Sequence, residues 1–179
     1  PADLGFVNIL IISNDTAGNV NDTETGIFSV VDTTNPAVII ENPTMSGTFT
    51  QEDNVTIEVN VTDFLPISNV TISVELPDTT ILNYTPGDAN SDDIFNFTFN
   101  ETSQLGTYNI SVFANDTTNN INNSEWRTFT MQDGNIPLVT LLSPGIDAFL
   151  NTPTFNFTCS ATDDNDIFNL TLYHNVSGT

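Results

Sequence analysis

Asn54-Val55-Thr56-Ile57-Glu58-Val59-Asn60-Val61-Thr62 alternates without a break: Val55, Ile57, Val59 and Val61 lie on one side, and Asn, Thr and Glu lie on the other. Successive side chains of an extended chain point to opposite faces, so a period of two predicts a half-buried β-strand. Asn69 to Leu76 alternates in the same way, and Phe95, Phe97 and Phe99 share one face of a further run. Thr107 to Asn115 aligns Tyr108, Ile110, Val112 and Ala114. Shorter runs at Ala37–Glu41, Thr79–Tyr84 and Glu125–Met131 bring the expected strands to seven. Asn42-Pro43, Leu65-Pro66, Pro86-Gly87-Asp88 and Asn119-Asn120 punctuate them as turns. No stretch has a convincing helical period. Seven short strands in about 100 residues predict an all-β fold, a β-sandwich.

The chain also repeats itself. Leu4-Gly5 returns as Leu105-Gly106, Asn14-Asp15-Thr16 as Asn115-Asp116-Thr117, Asp32 as Asp133 and Pro36 as Pro137, all 101 residues apart. After a one-residue deletion the spacing is 100, and Thr62-Asp63 returns as Thr162-Asp163 and Asn69-Val70-Thr71-Ile72 as Asn169-Leu170-Thr171-Leu172. A fixed period held over many positions is the signature of a tandem array. The expected organisation is the C-terminal part of one unit (1–33), a complete unit (34–133) and the N-terminal half of a further unit (134–179).

Composition excludes several functions. One Lys or Arg stands against 23 Asp and Glu, for a net charge of −22 over 179 residues. Nucleic-acid binding needs cations to neutralise phosphates, and the chain offers only Arg127. An anionic membrane surface repels it for the same reason. The longest aliphatic run is Ile9-Leu10-Ile11-Ile12, far below the roughly 20 residues of a membrane span. With 38% hydrophobic residues, regularly spaced, the chain has material for a core. It opens on Pro1 without a signal-peptide pattern, which reads as a mature or excised segment. The single cysteine, Cys159, forbids an internal disulfide framework.

Several motifs resemble those of immunoglobulin-like (Ig-like) repeats from prokaryotic, and in particular archaeal, surface proteins. Leu105-Gly106-Thr107-Tyr108-Asn109-Ile110 resembles the tyrosine-corner strand of Ig-like domains. Ser13-Asn14-Asp15-Thr16-Ala17-Gly18-Asn19 and Ala114-Asn115-Asp116-Thr117 resemble the recurrent turn of the surface repeats. Val31-Asp32-Thr33-Thr34-Asn35-Pro36-Ala37-Val38 resembles their junction, and Leu141-Leu142-Ser143-Pro144 with Thr158-Cys159-Ser160-Ala161-Thr162-Asp163 is similar to archaeal examples. The resemblance implies tandem seven-stranded Ig-like sandwiches in an extracellular or cell-surface setting. Where antibody domains place the second bridging cysteine, this unit has Ile110, so packing must replace the covalent link.

Fourteen Asn-x-Ser/Thr acceptor sequences are present, at Asn14, Asn21, Asn54, Asn60, Asn69, Asn83, Asn96, Asn100, Asn109, Asn115, Asn122, Asn156, Asn169 and Asn175. Random placement of 25 Asn among 40 Ser and Thr gives about six. Two readings stand. The sites carry N-linked glycans on outward-facing asparagines, or an Asn/Thr-rich outer face generates the pattern through its period of two.

Acidic residues gather where an Ig-type sandwich brings loops to one pole. Asp32 in the linker, Asp63 in the B–C loop and Asp116 in the F–G loop mark that pole for the complete unit. Asp133, Asp163, Asp164 and Asp166 hold the matching positions in the next. Such carboxylates resemble those of calcium-rigidified repeats such as cadherins, since Ca²⁺ takes six to eight oxygens from loops. Solvated turn residues are the other reading. Cys159 aligns with Val59 and is expected to be a buried, inert side chain; His174 has no metal or catalytic partner. Tyr108 is expected to fasten the E–F corner, and Trp126 to pack.

The functional expectation is a non-enzymatic structural segment of a glycosylated surface assembly: filament, stalk or surface layer. Its partners are copies of itself or neighbouring units in a polymer, and no nucleic acid or membrane insertion is expected of this segment. Residues 134–179 and 1–33 of different chains would complete each other by strand complementation. The stretch equivalent to 80–101 would be missing from that joint, which favours a longer polypeptide. The alternative is an adhesin that binds a glycan or protein through its loops.

Overall fold

The computed structural model describes residues 4–152 and 154–173; all elements are strands. Contacts divide the chain into two compact units on either side of Met131 and Gln132. No helix among the described residues is long and apolar enough to cross a membrane.

The first unit opens with an antiparallel hairpin of β1 (Gly5–Asn14) and β2 (Val20–Val30). Next come β3 (Ala37–Asn42), β4 (Gly47–Thr50), β5 (Val55–Thr62), β6 (Ile67–Glu75), β7 (Ile81–Tyr84), β8 (Ile94–Phe99), β9 (Gly106–Asp116), β10 (Ile121–Asn122) and β11 (Trp126–Gln132). These nine strands form two sheets: β3-β5-β8, and β4-β11-β9-β6-β7 with β10 paired to β9. This is an Ig-like β-sandwich. The seven expected runs all form strands; β4 and β10 are additional. The second unit contains β12 (Leu138–Ser143) and β13 (Thr158–Thr162), an antiparallel pair.

The two-residue period does the building. On β5, Val55, Ile57, Val59 and Val61 are at most 1% exposed. They meet the inward face of the other sheet, where Ile72, Val74, Ile110, Val112 and Ala114 are at most 2% exposed. Fully burying one such aliphatic side chain stabilises by roughly 1.5–3 kcal/mol, so this double stripe dominates the fold. β-Branched residues suit the pleated surface because their restricted rotamers pack well on it. Aromatic rings fill one end of the sandwich. Tyr108 stacks on Phe129 with centroids 4.9 Å apart, and Phe99 meets Tyr108 edge-on at 5.9 Å.

The expected tyrosine corner is present. The Tyr108 hydroxyl donates to the Gln104 carbonyl at 3.0 Å and lies 3.3 Å from that of Glu101. Gln104 also ties this corner to the β6–β7 turn: its Nε2 donates to Asp78 Oδ2 at 2.9 Å, and its Oε1 accepts from the Asp78 N–H at 3.2 Å. Gly106 has φ +126°, and a Cβ there would come 3.2 Å from Pro77 Cβ. Only glycine adopts this conformation freely and leaves the space that Pro77 occupies.

Positions about one period apart share backbone geometry. Gly5 and Gly106 have φ of 122° and 126°, and Ser46 and Asp147 have 56° and 60°. The register Ala37↔Thr62 and Ile40↔Val59 returns as Leu138↔Thr162 and Leu141↔Cys159, each followed by an irregularity. Burial does not follow. Ile110 and Phe129 are fully buried, whereas their counterparts Ile9 and Phe28 in the hairpin are 43% and 48% exposed. Three sequence expectations are corrected. The complete sandwich has nine strands rather than seven. Trp126 is 57% exposed rather than packed, because it lies on the outer face of β11, alternate to buried Phe129 and Met131. Cys159 is exposed rather than buried, because β13 pairs with β12 alone and no second sheet covers it among the described residues.

Two outcomes follow from the corner. Gly106→Ala should destabilise the sandwich by about 1–3 kcal/mol in urea denaturation, from a strained φ and the contact with Pro77. The Asp78 carboxyl is held below its ordinary 3.8 by the Thr80 backbone N–H and then the Gln104 amide. Its folded pKa is therefore below its unfolded value. The stabilisation is complete above pH 3.8 and is lost as pH falls through the folded value. Asp78→Asn should be less stable than the parent at neutral pH, with the gap closing in urea melts below about pH 4.

Candidate functional site

Three loops converge at one pole of the sandwich. Asp32 lies between β2 and β3, Asp63 follows β5, and Asp116 ends β9. One carboxylate oxygen from each falls within 4.8 Å of the others. Local turn chemistry sets each side chain. Asp32 Oδ1 accepts the Thr34 N–H at 2.9 Å, and Asp63 Oδ1 accepts the Phe64 N–H at 2.6 Å. Asp116 Oδ1 accepts the Thr118 and Asn120 N–H groups at 2.9 and 2.8 Å. Its Oδ2 takes the Thr118 hydroxyl and the Asn120 amide, both at 2.8 Å. Short polar side chains bonding to backbone a few residues on are the usual device of turns.

Asp116 is 1% exposed. Burial pushes its pKa up, but the bonds from Thr118 and Asn120 together outweigh it and hold the carboxyl below 3.8. The other two carboxylates are differently placed. Asp32 Oδ2 and Asp63 Oδ2 are both buried and accept no hydrogen bond. Asn120 Nδ2 reaches the Asp32 carbonyl at 3.3 Å and Asn122 Nδ2 the Pro36 carbonyl at 2.9 Å, so the F–G loop also grips the linker backbone.

A second carboxylate group lies within the other unit: Asp133, Asp163 and Asp164 also bring oxygens within 4.8 Å of one another. Asp166 is not in that group. Asp133 Oδ1 accepts the Asn135 N–H at 2.9 Å, as Asp32 does from Thr34. Asn135 Nδ2 donates to Asp164 Oδ2 at 2.7 Å. The Asp163 carboxyl is raised, first by its hydrogen bond with the Asp164 side chain and then by desolvation; Asp164 is lowered by the same bond and by Asn135. In the hairpin turn Asp15 repeats the Asp116 arrangement, taking the Ala17 and Asn19 N–H groups at 2.9 Å each and the Asn19 amide at 2.7 Å. Both carboxylate groups are hard oxygen-donor sets, the chemistry suited to Ca²⁺ or Mg²⁺. The sequence reading missed the partners Thr34, Thr118, Asn120 and Asn135. Their spacing of two or four residues after an Asp is the signal that marks them.

The acceptor asparagines sort by burial. Asn14, Asn21, Asn54, Asn69, Asn83, Asn96, Asn100, Asn156 and Asn169 are exposed, and Asn60, Asn109, Asn115 and Asn122 are half-buried. Asn175, like His174, lies outside the described residues. N-glycosylation forms its bond at Nδ2. In Asn122 that atom is engaged by the Pro36 carbonyl, while Oδ1 accepts the Ser124 N–H and hydroxyl. Asn109 sits mid-sheet between β6 and β11, with Oδ1 buried. By contrast Asn83 and Asn96 lie on the edge strands β7 and β8, and Asn100 follows β8.

No family model matches the chain, and no curated protein matches it. Among solved structures, the chain is similar to CopC from Methylosinus trichosporium OB3b at 10% identity and a TM-score of 0.44, over 56% of this chain and 98% of that one. It is also similar to fibronectin(III)-like modules of Clostridium thermocellum CbhA at 17% identity and a TM-score of 0.41, over 53% of this chain and 94% of that one.

If the sequons are used, accessibility of Nδ2 should decide occupancy. Site-resolved peptide mass spectrometry of protein made in a glycosylating host should find sugar at Asn83, Asn96 and Asn100 and bare side chains at Asn109 and Asn122. Modification of the last two with the fold intact would show that these half-buried amides do not limit access.

Proposed function

We propose that this chain is a non-enzymatic structural segment of an extracellular, N-glycosylated surface assembly, in which Ig-like sandwiches are strung in series as a filament, stalk or surface layer. The observation that carries it is the coincidence of sequence period and backbone geometry. Residues one period apart share φ values, strand register and carboxylate-capped turns, and such copying suits a part whose work is repetition. On this reading residues 1–33 are the end of one unit, 34–133 a whole unit and 134–179 the start of another. The exposed apolar faces of the hairpin and of β12–β13 are then the inner faces of sandwiches completed by neighbouring segments.

Surface chemistry supports the setting. Charge of one sign keeps the chains apart, and acceptor asparagines lie on or beside the open edges at β7 and β8. A loop-borne adhesin is less well supported. The loop before β8 is polar and folds on itself, with Asp88 accepting the Asp92 and Asp93 N–H groups at 3.1 Å each. It presents no aromatic anchor of the kind that concentrates binding energy.

Electron microscopy of the native assembly is the decisive measurement. Regular beads with a spacing of one sandwich should be visible, and peptides from this chain should carry glycans before enzymatic deglycosylation and lose them after it. Dispersed single particles with unmodified asparagines would overturn the reading.

A further inference from the structure

We propose that Asp32, Asp63 and Asp116 form a calcium site that clamps the segment before β3 to the pole of the sandwich. Three carboxylates meet within 4.8 Å, which by itself describes many solvated turns. The deciding observation is separate. Asp32 Oδ2 and Asp63 Oδ2 each have less than 1 Å² accessible and accept no hydrogen bond. Solvated turn acids would offer those oxygens to water. A buried anionic oxygen without a donor is costly, and two beside a third carboxylate repel one another as well.

No side-chain cation of the chain resolves this. Lysine is absent, and the single arginine is committed elsewhere. Arg127 pairs in register with Ile110, six residues from Asp116 along β9, or about 20 Å. Its Nη1 donates to the Pro43 carbonyl at 3.1 Å. Hydrogen-bond donors do not serve either. Thr118 and Asn120 bond to the Asp116 carboxylate, and the Asn120 amide also to the Asp32 carbonyl, but neither reaches Asp32 Oδ2 or Asp63 Oδ2. An ion held by oxygens does. Three carboxylates from three separate loops give a flexible donor set of irregular geometry. Ca²⁺ accepts that readily, whereas Mg²⁺ demands a near-ideal octahedron at shorter range. The Asp133, Asp163 and Asp164 group lacks the second observation, since Asp164 Oδ2 is held by Asn135 and no oxygen there is a buried orphan among the described residues. It serves as the internal control.

The consequence is mechanical. Asp32 belongs to the linker, whereas Asp63 and Asp116 belong to loops of the sandwich, so one ion would fasten the incoming chain to two loops. The proposal goes beyond the surface-assembly reading and stands without it, because it concerns one unit in solution.

The test uses the full chain, stripped with chelator and titrated with calcium chloride by calorimetry in about 0.15 M salt, which screens diffuse binding to the acidic surface. One saturable event should be lost, or weakened at least tenfold, in Asp32→Asn and in Asp63→Asn, and retained in Asp133→Asn. Both test variants keep the oxygen that accepts the local N–H, and far-UV circular dichroism checks their fold. Thermal melting supplies an independent reading. The parent should gain Tm with the logarithm of free calcium. In chelator Asp63→Asn should melt at or above the parent, because it relieves repulsion; in calcium it should melt below it. Mg²⁺ at equal concentration should give the smaller shift. No saturable heat, binding unaffected by either substitution, or parent and Asp63→Asn keeping the same order of Tm in both conditions would overturn the site.

Discussion

The sandwich depends on one contact: the aliphatic stripe of β5 pressed against that of β9, with no covalent bond between the sheets. Val59 and Ile110 stand on those facing stripes, and Ile110 takes a place where a cysteine would sit in a bridged domain. A bridge constrains the unfolded chain, whereas packing must stabilise the folded one. The aromatic layer of Phe99, Tyr108 and Phe129 therefore matters beyond its area. It closes the end of the core beside the tyrosine corner, and the Tyr108 hydroxyl links that layer to backbone at 101–104. Core and loop geometry are thus fixed by the same side chain.

That core must hold against the charge around it. A net charge of −22 destabilises any compact state through self-repulsion. The fold answers with backbone rather than with lysine. Asp15, Asp78, Asp88 and Asp116 all accept main-chain N–H groups in turns, and all lie below the ordinary 3.8. Negative charge in these loops is held by peptide dipoles, which do not vary with salt as surface ion pairs do. Asp32 and Asp63 also accept one main-chain N–H each, but each keeps a buried oxygen without a donor, and those two oxygens are the ones the calcium proposal uses.

Much of this was legible in the sequence for a physical reason. Alternation of valine and isoleucine with polar residues is read by a sandwich directly, so the strands β5, β6, β8 and β9 appear where the period of two is strict. The failures are equally physical. β4 is four residues with Phe49 as its single large apolar side chain, too short for a period to show. Trp126 alternates away from the core, which residue type alone conceals. Cys159 aligns with buried Val59, but burial belongs to the sheet opposite and not to the residue. Convergence of Asp32, Asp63 and Asp116 could be expected from loop positions in a sandwich; which oxygens would lack donors could not. The same holds for Asn122, whose amide is engaged by Pro36, 86 residues earlier in the chain.

The repeat separates two properties that usually travel together. Local geometry is copied closely. Asp15 takes the N–H groups two and four residues on and the Asn19 amide, as Asp116 does with Thr118 and Asn120, lacking only the hydroxyl bond that Ala17 cannot make. Asp133 caps Asn135 as Asp32 caps Thr34. Burial is not copied, since Ile9 and Phe28 are open where Ile110 and Phe129 are closed. Turns and hairpins are encoded within a few residues, so every copy forms them. A sandwich core needs two facing sheets, and among the described residues only β3 to β11 supply them. The β1–β2 hairpin and the β12–β13 pair are two-stranded sheets, which are marginal in water until an apolar face is covered. In the proposed array, adding a unit would bury faces that a break would leave to water, which favours long arrays over isolated pieces.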